Sequence, residues 1–342
     1  MNLKELSQSL GLSQTTVSRA LNGYPEVAEA TRQRVMQAAR QHNYRPNTRA
    51  RGLATGRAMA VGHVIPLSTH HEMVNPIFAD FVAGASEIYS QNGYDMVISA
   101  VPDEAEEDAY RTLVSKGSVD GVIVHGPRQG DSRIGLLRQL GLPFVVHGRD
   151  SEETQPYNWV DVNNRVAFEG AAAHLIGLGH RRIALINGLL HMDFAARRLQ
   201  GYLDALATSG IACDDALIHS AEMTEAEGYS AATAMLEQPD PPTAFLGASI
   251  ITCFGIRRAI EGKGLALGRD VSVIAFDDDL SYLRDETAEP MFTATKSSVR
   301  EAGRICAQRL LDIITESDES GPTPVLLEAE LTPGRSTGPA PI

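Results

Sequence analysis

From Ala60 onward the chain repeats one local pattern, a short apolar run, a turn and an amphipathic stretch, and this repetition limits the fold more than any other feature. The apolar runs AVGHVIP (60–66), YDMVISAV (94–101), GVIVHG (121–126) and FVVHG (144–148) have the length of buried parallel strands. Helical stretches at 77–91, 104–116 and 132–140 separate them. A second series follows, with helices at about 165–178, 194–209, 225–237 and 251–263. Its strands are IALING (183–188), a short run near 217–220, TAFLGA (243–248) and SVIAFD (272–277). Strands alternating with helices of this length predict two doubly wound α/β lobes. A helix at 298–316 and the β-like LLEAEL (326–331) suit segments that cross back between the lobes.

Open α/β sheets bind ligands at the carboxyl ends of their strands, and two such lobes face to face form a cleft that closes on a small molecule. The residues just after strands are therefore the candidates: His147 and Arg149; Asp193, Arg197 and Arg198; Ser249; and Asp277 with Asp278 and Asp279. An arginine and an aspartate converging on one cleft suit a neutral polyol, because together they bond many hydroxyls. Trp159 and Phe194 are the aromatic candidates for stacking on a sugar face.

The first 58 residues have a different texture. Leu3, Leu6 and Leu10 recur at helical spacing, Gly11 breaks the run, and Ser13 is placed to cap a second helix. Val17, Ala20 and Leu21 form the inner face of that helix, while Gln14, Thr15, Ser18, Arg19 and Asn22 fall opposite. Amides, hydroxyls and a guanidinium without a carboxylate can bond base edges and phosphates, which points to a helix-turn-helix with its second helix as reader. An αα-hairpin with a polar outer face would show the same spacing. Charge favours the first reading: residues 1–58 carry nine Lys/Arg and three Asp/Glu, a head of +6 on a chain whose total is −13, leaving −19 for the rest. A third helix is expected from Thr31, as its cap, to His42, with Val35, Ala38 and Ala39 inward and Tyr44 closing the small core. Residues 47–58 read either as a solvated basic linker or as an arm that folds on DNA. In the second case Arg49 and Arg51 meet phosphates and Leu53 wedges into the minor groove.

Enzyme signatures are missing from the sequence. There is no GxGxxG after a strand, no phosphate loop and no nucleophile elbow. His70, His71 and Glu72 lack the HExxH spacing, and Asp277–Asp279 reads as a solvated turn rather than a metal site. Cys213, Cys253 and Cys306 match no metal or redox spacing and are expected as buried thiols in a reducing compartment. With no apolar leader or spanning run, a soluble, cytoplasmic protein without cofactor or metal is expected.

The chain resembles the LacI/GalR family of transcriptional regulators from Asn2 to about Thr337. The resemblance is carried by LSQTTVSRALNG (12–23), TRQRVMQAARQHNYRPN (31–47), ARGLATG (50–56) and NPIFADFVAGASE (75–87). HLIGLGHRRIALING (174–188), RLQGYLDAL (198–206), VSVIAFDD (271–278) and LTPGRST (331–337) follow in the family's order. The resemblance implies that Gln14 and Thr15 contact bases, supported by Thr16, Ser18, Arg19 and Asn22, and that Leu53 is the hinge-helix wedge. It implies Arg198 and Asp277 as effector ligands, Ile77, Phe78 and Met223 as pocket walls, and His147 and Phe194 as further effector contacts. It also implies a homodimer on a pseudo-palindromic operator. Two departures are present: Ser249-Ile250 where many members have Asn-Asp, and Val162-Asn163-Asn164 where Val-Asp-Asn is common. PYNWVDVNN (156–164) with MDFAARRLQGY (192–202) is most similar to regulators of α-glucoside use.

The expected organisation is an all-α helix-turn-helix headpiece over 1–46, a hinge over 47–58 and a periplasmic-binding-protein-like effector module. Its N-lobe is expected from 59–162 with 293–318, and its C-lobe from 163–290 with 323–337, followed by a disordered tail at 338–342. The function this predicts is a repressor of a carbohydrate-use operon, released by a small sugar, an α-glucoside or other disaccharide, either free or phosphorylated. The competing reading is a sugar-binding protein or sugar-modifying enzyme whose N-terminal helices only pack or dimerise.

Overall fold

The computed structural model describes the whole chain except residues 22–23, 45–55, 67–74, 284–286, 288, 316–320 and 342. It divides into two compact units, Met1–Met59 and Ala60–Ile342.

Among its described residues the first unit holds three helices, α1 (Leu3–Leu10), α2 (Gln14–Leu21) and α3 (Glu29–Gln41). Asn2 and Glu5 form a reciprocal capping box at the start of α1, and Gly11, at φ 64°, ends it in the left-handed region. Ser13 Oγ accepts from the Thr16 amide at 3.0 Å, so the expected cap opens α2. The core is Leu6, Val17, Ala20, Val27, Val35, Ala38 and Ala39, with Leu3, Leu10, Leu21 and Tyr44 packed around it. Helix α3 starts before the expected Thr31: Ala28 stands at its cap position without a side-chain bond, and Thr31 lies in the first turn.

The second unit contains two six-stranded sheets. The first joins β1 (Ala60–Pro66), β2 (Asp95–Val101), β3 (Gly121–His125), β4 (Phe144–His147), β5 (Trp159–Val162) and β11 (Val325–Leu327), in the order β11-β5-β4-β3-β1-β2. The second joins β6 (Ile183–Asn187), β7 (Ile218–Ser220), β8 (Ala244–Gly247), β9 (Ser272–Asp277), β10 (Thr293–Lys296) and β12 (Glu330–Thr332), in the order β12-β10-β9-β8-β6-β7. Among the described residues every pairing of these strands is parallel except β10 with β12. The helices are α4 (Pro76–Asn92), α5 (Glu106–Ser115), α6 (Ser132–Leu140), α7 (Asn164–Gly177), α8 (Asp193–Thr208), α9 (Glu225–Leu236), α10 (Ile250–Gly262) and α11 (Val299–Ile314).

The crossings between lobes differ in detail from expectation. Strand β10, expected with the N-lobe, pairs with β9 in the second sheet, and only the following helix α11 packs back on the first. Strand β11, expected with the C-lobe, pairs with β5 in the first sheet. The β-like run 326–331 is thus two short strands, one on each lobe, since each completes a sheet edge that would otherwise leave amides unpaired. Residues 338–341 are tied to the C-lobe, not a loose tail: Gly338 bonds His180 Nε2 and Ser272 Oγ, and Ala340 N donates to Leu178 O at 2.9 Å. Cys253 and Cys306 are buried as expected, but Cys213 is exposed.

Glycines set how closely the helices meet. A Cβ at Gly84 would lie 2.0 Å from the Arg300 carbonyl oxygen, and one at Gly303 2.2 Å from that of Phe81, so α4 and α11 touch backbone to backbone. That contact fixes the amino-terminal turns of α4, which reach the ligand cavity.

Candidate DNA-reading face and effector cavity

Helix α2 buries Val17 and Ala20 and leaves Gln14, Thr15 and Arg19 exposed, with Thr16 and Ser18 half-buried. Thr16 is engaged at the turn, its hydroxyl 2.8 Å from that of Ser13. An 8-residue helix with one anchored face therefore carries one amide, two hydroxyls and one guanidinium outward, in Gln14, Thr15, Ser18 and Arg19, as its spacing predicts. Asn22, Arg49, Arg51 and Leu53 lie outside the described residues, as do His70, His71 and Glu72.

In the second unit a cavity of about 200 Å³ opens between the two sheets. Phe78, Phe81, Phe194 and Phe276 supply aromatic walls, and Ile77 and Met223 supply aliphatic ones. Its charged groups come as two arginine–aspartate sets, Arg149 with Asp161 and Arg198 with Asp278. His125 and His147 close one wall, and Asn75, Asn164 and two serines complete the polar lining.

Arg198 is the most elaborately held of these groups. It projects from α8 and is buried, with Nε donating to Asn164 Oδ1 at 2.7 Å and Nη1 to the Ala248 carbonyl at 2.6 Å. Its guanidinium lies 3.9 Å from the Phe276 ring centre and 4.9 Å from that of Phe194. Burial lowers it to about 10, and the nearby Asp278 and Asp161 carboxylates hold back a further fall. Asp278 shows the converse: burial pushes its carboxyl up to about 7, with Arg198 opposing the rise and Asp277 adding to it.

Asp161, at the other end, is ion-paired with two arginines, Arg197 Nη1 at 2.7 Å and Arg149 Nε at 3.2 Å. Arg149 also lies over the Trp159 ring, 5.2 Å from its centre, so the tryptophan expected to stack on a sugar is covered by a guanidinium and does not line the cavity. Arg197 reaches back to Asp193 on its own helix, and Asp193 takes the amide and hydroxyl of Ser151 from the other lobe.

Of the predicted effector residues, the cavity brings together Ile77, Phe78, His147, Phe194, Arg198 and Met223. Asp193, Ser249 and Asp277 do not line it. Asp193 is wholly buried in the clasp between lobes, and Ser249 caps α10, its Oγ accepting from the Thr252 amide at 3.2 Å. Asp277, the last residue of β9, takes the Asp279 amide at 2.9 Å, while its neighbour Asp278 lines the cavity. Successive side chains leave a strand end on opposite sides, so a one-residue offset exchanges the aspartate that lines the cavity. His125, Phe81 and Phe276 were missed, although each ends or faces a strand of the expected kind. Among the described residues no group of three or more potential metal ligands occurs, and no helix is long and apolar enough to cross a membrane.

Comparison with known proteins agrees with this arrangement. Residues 2–47 match the family described as bacterial regulatory proteins, lacI family, and residues 172–337 match a periplasmic binding protein-like domain. The HTH-type transcriptional regulator AglR of Rhizobium meliloti (strain 1021) is 46% identical over 342 residues, covering 100% of this chain and 95% of its own. The chain belongs to the LacI family of bacterial transcriptional regulators. Among solved structures, a complex of the transcriptional regulator CelR with cellobiose matches at 29% identity with a TM-score of 0.72, covering 98% of this chain and 99% of its own. The lac repressor dimer bound to operator and the anti-inducer ONPF matches at 26% identity and a TM-score of 0.79, covering 99% of each chain. The LacI-family chain is thus a helix-turn-helix regulator with a periplasmic-binding-protein-like module, as its sequence pattern predicted.

Proposed function

We propose that this LacI-family regulator is a cytoplasmic repressor of a carbohydrate-use operon, released from its operator when an uncharged disaccharide of the α-glucoside type fills the cavity. The observation that carries the choice of ligand is the charge of the lining. Arg149 is ion-paired with Asp161, Arg198 lies in the field of Asp278 and Asp161, and the adjacent Arg197 is spent on Asp161 and Asp193. A phosphate would need an arginine with no carboxylate partner, whereas a ring of hydroxyls suits matched donors and acceptors flanked by aromatic faces. This favours the free sugar over its phosphate. The name and cellobiose ligand of the CelR complex support a disaccharide-sized effector by analogy.

In this reading Gln14 and Thr15 read bases, and Thr16, Ser18, Arg19 and Asn22 support base and phosphate contacts. Arg49 and Arg51 meet phosphates, and Leu53 wedges into the central minor-groove step. For release, the sugar must bind the open and closed lobes unequally, since equal affinity shifts nothing.

A thermal-shift screen against mono- and disaccharides and their phosphates tests the ligand class. A true effector at about 100 times its dissociation constant stabilises the fold by roughly 2.7 kcal/mol. Stabilisation by phosphosugars alone would overturn the neutral-ligand reading. Arg19→Ala should remove operator binding in a gel-shift assay while leaving sugar binding intact. Loss of both together would favour a structural role for the headpiece.

A further inference from the structure

His63 stands in the middle of the apolar strand β1 and is wholly buried, an expensive place for an imidazole that touches no ligand. Both ring nitrogens have partners. Nδ1 lies 2.9 Å from Nε2 of His125, and Nε2 lies 3.2 Å from the Tyr89 hydroxyl. The two imidazoles stack with centres 5.2 Å apart, and Phe81 packs edge-on to both. Tyr89 projects from α4 and is buried, whereas His125 ends β3 and lines the cavity. A three-group chain of hydrogen bonds therefore runs from α4 through the core of the N-lobe to the cavity wall.

Burial lowers the His63 imidazole to about 4 and the His125 imidazole well below its ordinary value, so each ring is neutral and carries one N–H near neutral pH. Only two arrangements then satisfy both short contacts. In one, the Tyr89 hydroxyl donates to His63 Nε2, and His63 Nδ1–H donates to His125 Nε2, which leaves the His125 proton on Nδ1. In the other every donor is reversed, and His125 Nδ1 is bare. The second strands the phenol proton, because the Tyr89 hydroxyl has no hydrogen-bond partner but His63 among the described residues. A buried donor with no acceptor is the more costly defect, so the first arrangement prevails. Among the described residues the His125 Nδ1 has no partner and is not enclosed, so it opens on the cavity that the ring lines.

We infer that His63, held by Tyr89, locks His125 in the Nδ1–H tautomer, so that the wall presents the effector with a hydrogen-bond donor at this point. His63 is then a positioning residue for effector selectivity, acting through His125 without touching the ligand. The role of the donor rests on the carbohydrate reading of the cavity, but the tautomer does not.

The test is a long-range proton–nitrogen correlation spectrum of the full-length protein with its histidines labelled by nitrogen-15. The expected wild-type spectrum shows His125 protonated at Nδ1 and bare at Nε2. His63→Asn keeps an N–H donor near the place of Nδ1 and should preserve that pattern. His63→Asp puts an acceptor at the same place and should draw the proton to Nε2, with affinity for maltose, measured by calorimetry, falling about tenfold. Tyr89→Phe leaves His63 Nε2 as a bare acceptor rather than a stranded donor and should keep the pattern, and the wild-type spectrum alone decides the tautomer if His63→Asp fails to fold. A wild-type proton on Nε2, or a tautomer unchanged in His63→Asp, overturns the inference. If the tautomers behave as expected while maltose and other neutral disaccharides bind no form of the protein, the carbohydrate reading fails and the positioning role of His63 stands.

Discussion

Two aspartates face the same cavity, and the protein treats them differently. Asp161, in a strand of the first sheet, is ion-paired with two arginines, and one of them, Arg197, comes from the opposite lobe. Asp278, just past the end of β9 in the second sheet, faces an arginine whose Nε and Nη1 are given to Asn164 and Ala248. Burial raises both carboxyls, but Asp278 is pushed up to about 7. The contrast separates a carboxylate that holds the lobes together from one kept under-neutralised for a ligand. A buried ion-paired charge stabilises little beyond its own desolvation cost, yet its removal leaves its partner charges buried and unpaired. A carboxyl that is poorly stabilised in the folded state is available for new bonds.

That difference can be broken at several points. Asp161→Ala leaves the Arg197 charge buried without its cross-lobe partner, and denaturant unfolding should show a loss of about 3–5 kcal/mol. Asp278→Asn should not lower stability but should weaken sugar binding by about 1.5–3 kcal/mol, the worth of a charge-assisted hydrogen bond, read by calorimetry. Similar effects of the two substitutions on stability would erase the distinction. The pH dependence sharpens it further. Because the folded pKa of Asp278 lies above its unfolded value, the folded state holds the extra proton between about pH 4 and 7. Its contribution to stability is therefore present at low pH and lost as pH rises through about 7. Melting temperatures followed from pH 5 to 8 should fall from this group, and Asp278→Asn should flatten that part of the profile. The smallest effect is expected at the far side of the cleft, where Asp80 on α4 takes the Ser281 amide at 2.6 Å and its hydroxyl at 2.7 Å. Asp80→Ala should cost about 1–3 kcal/mol or less, because water reaches this half-open contact, and should speed effector release in stopped-flow measurements.

Much of this molecule is written in local pattern. The outward face of α2 follows from a period of 3.6 residues and from which side chains are apolar, so Gln14, Thr15 and Arg19 could be placed without a structure. The strands of both lobes that are wholly buried were legible for the same reason. The strands β5 and β10 were not, since WVDV and TATK carry charged or hydroxyl side chains whose burial depends on partners supplied from elsewhere. Asp161 is buried in β5 only because Arg149 and Arg197 arrive there.

By itself, the sequence determined the helix-turn-helix head, the alternation that makes two parallel sheets, and the strand ends where a ligand binds. These depend on backbone periodicity and on which residues avoid water, and both are properties of short stretches. Tertiary structure alone decided that Asp278 rather than Asp277 lines the cavity, that Trp159 is covered, and that the last residues are tied to His180 and Ser272. It alone joined Tyr89, His63 and His125. Such choices turn on the side a strand end presents and on which distant polar group satisfies a buried one, and those terms exist only once remote parts of the chain have met.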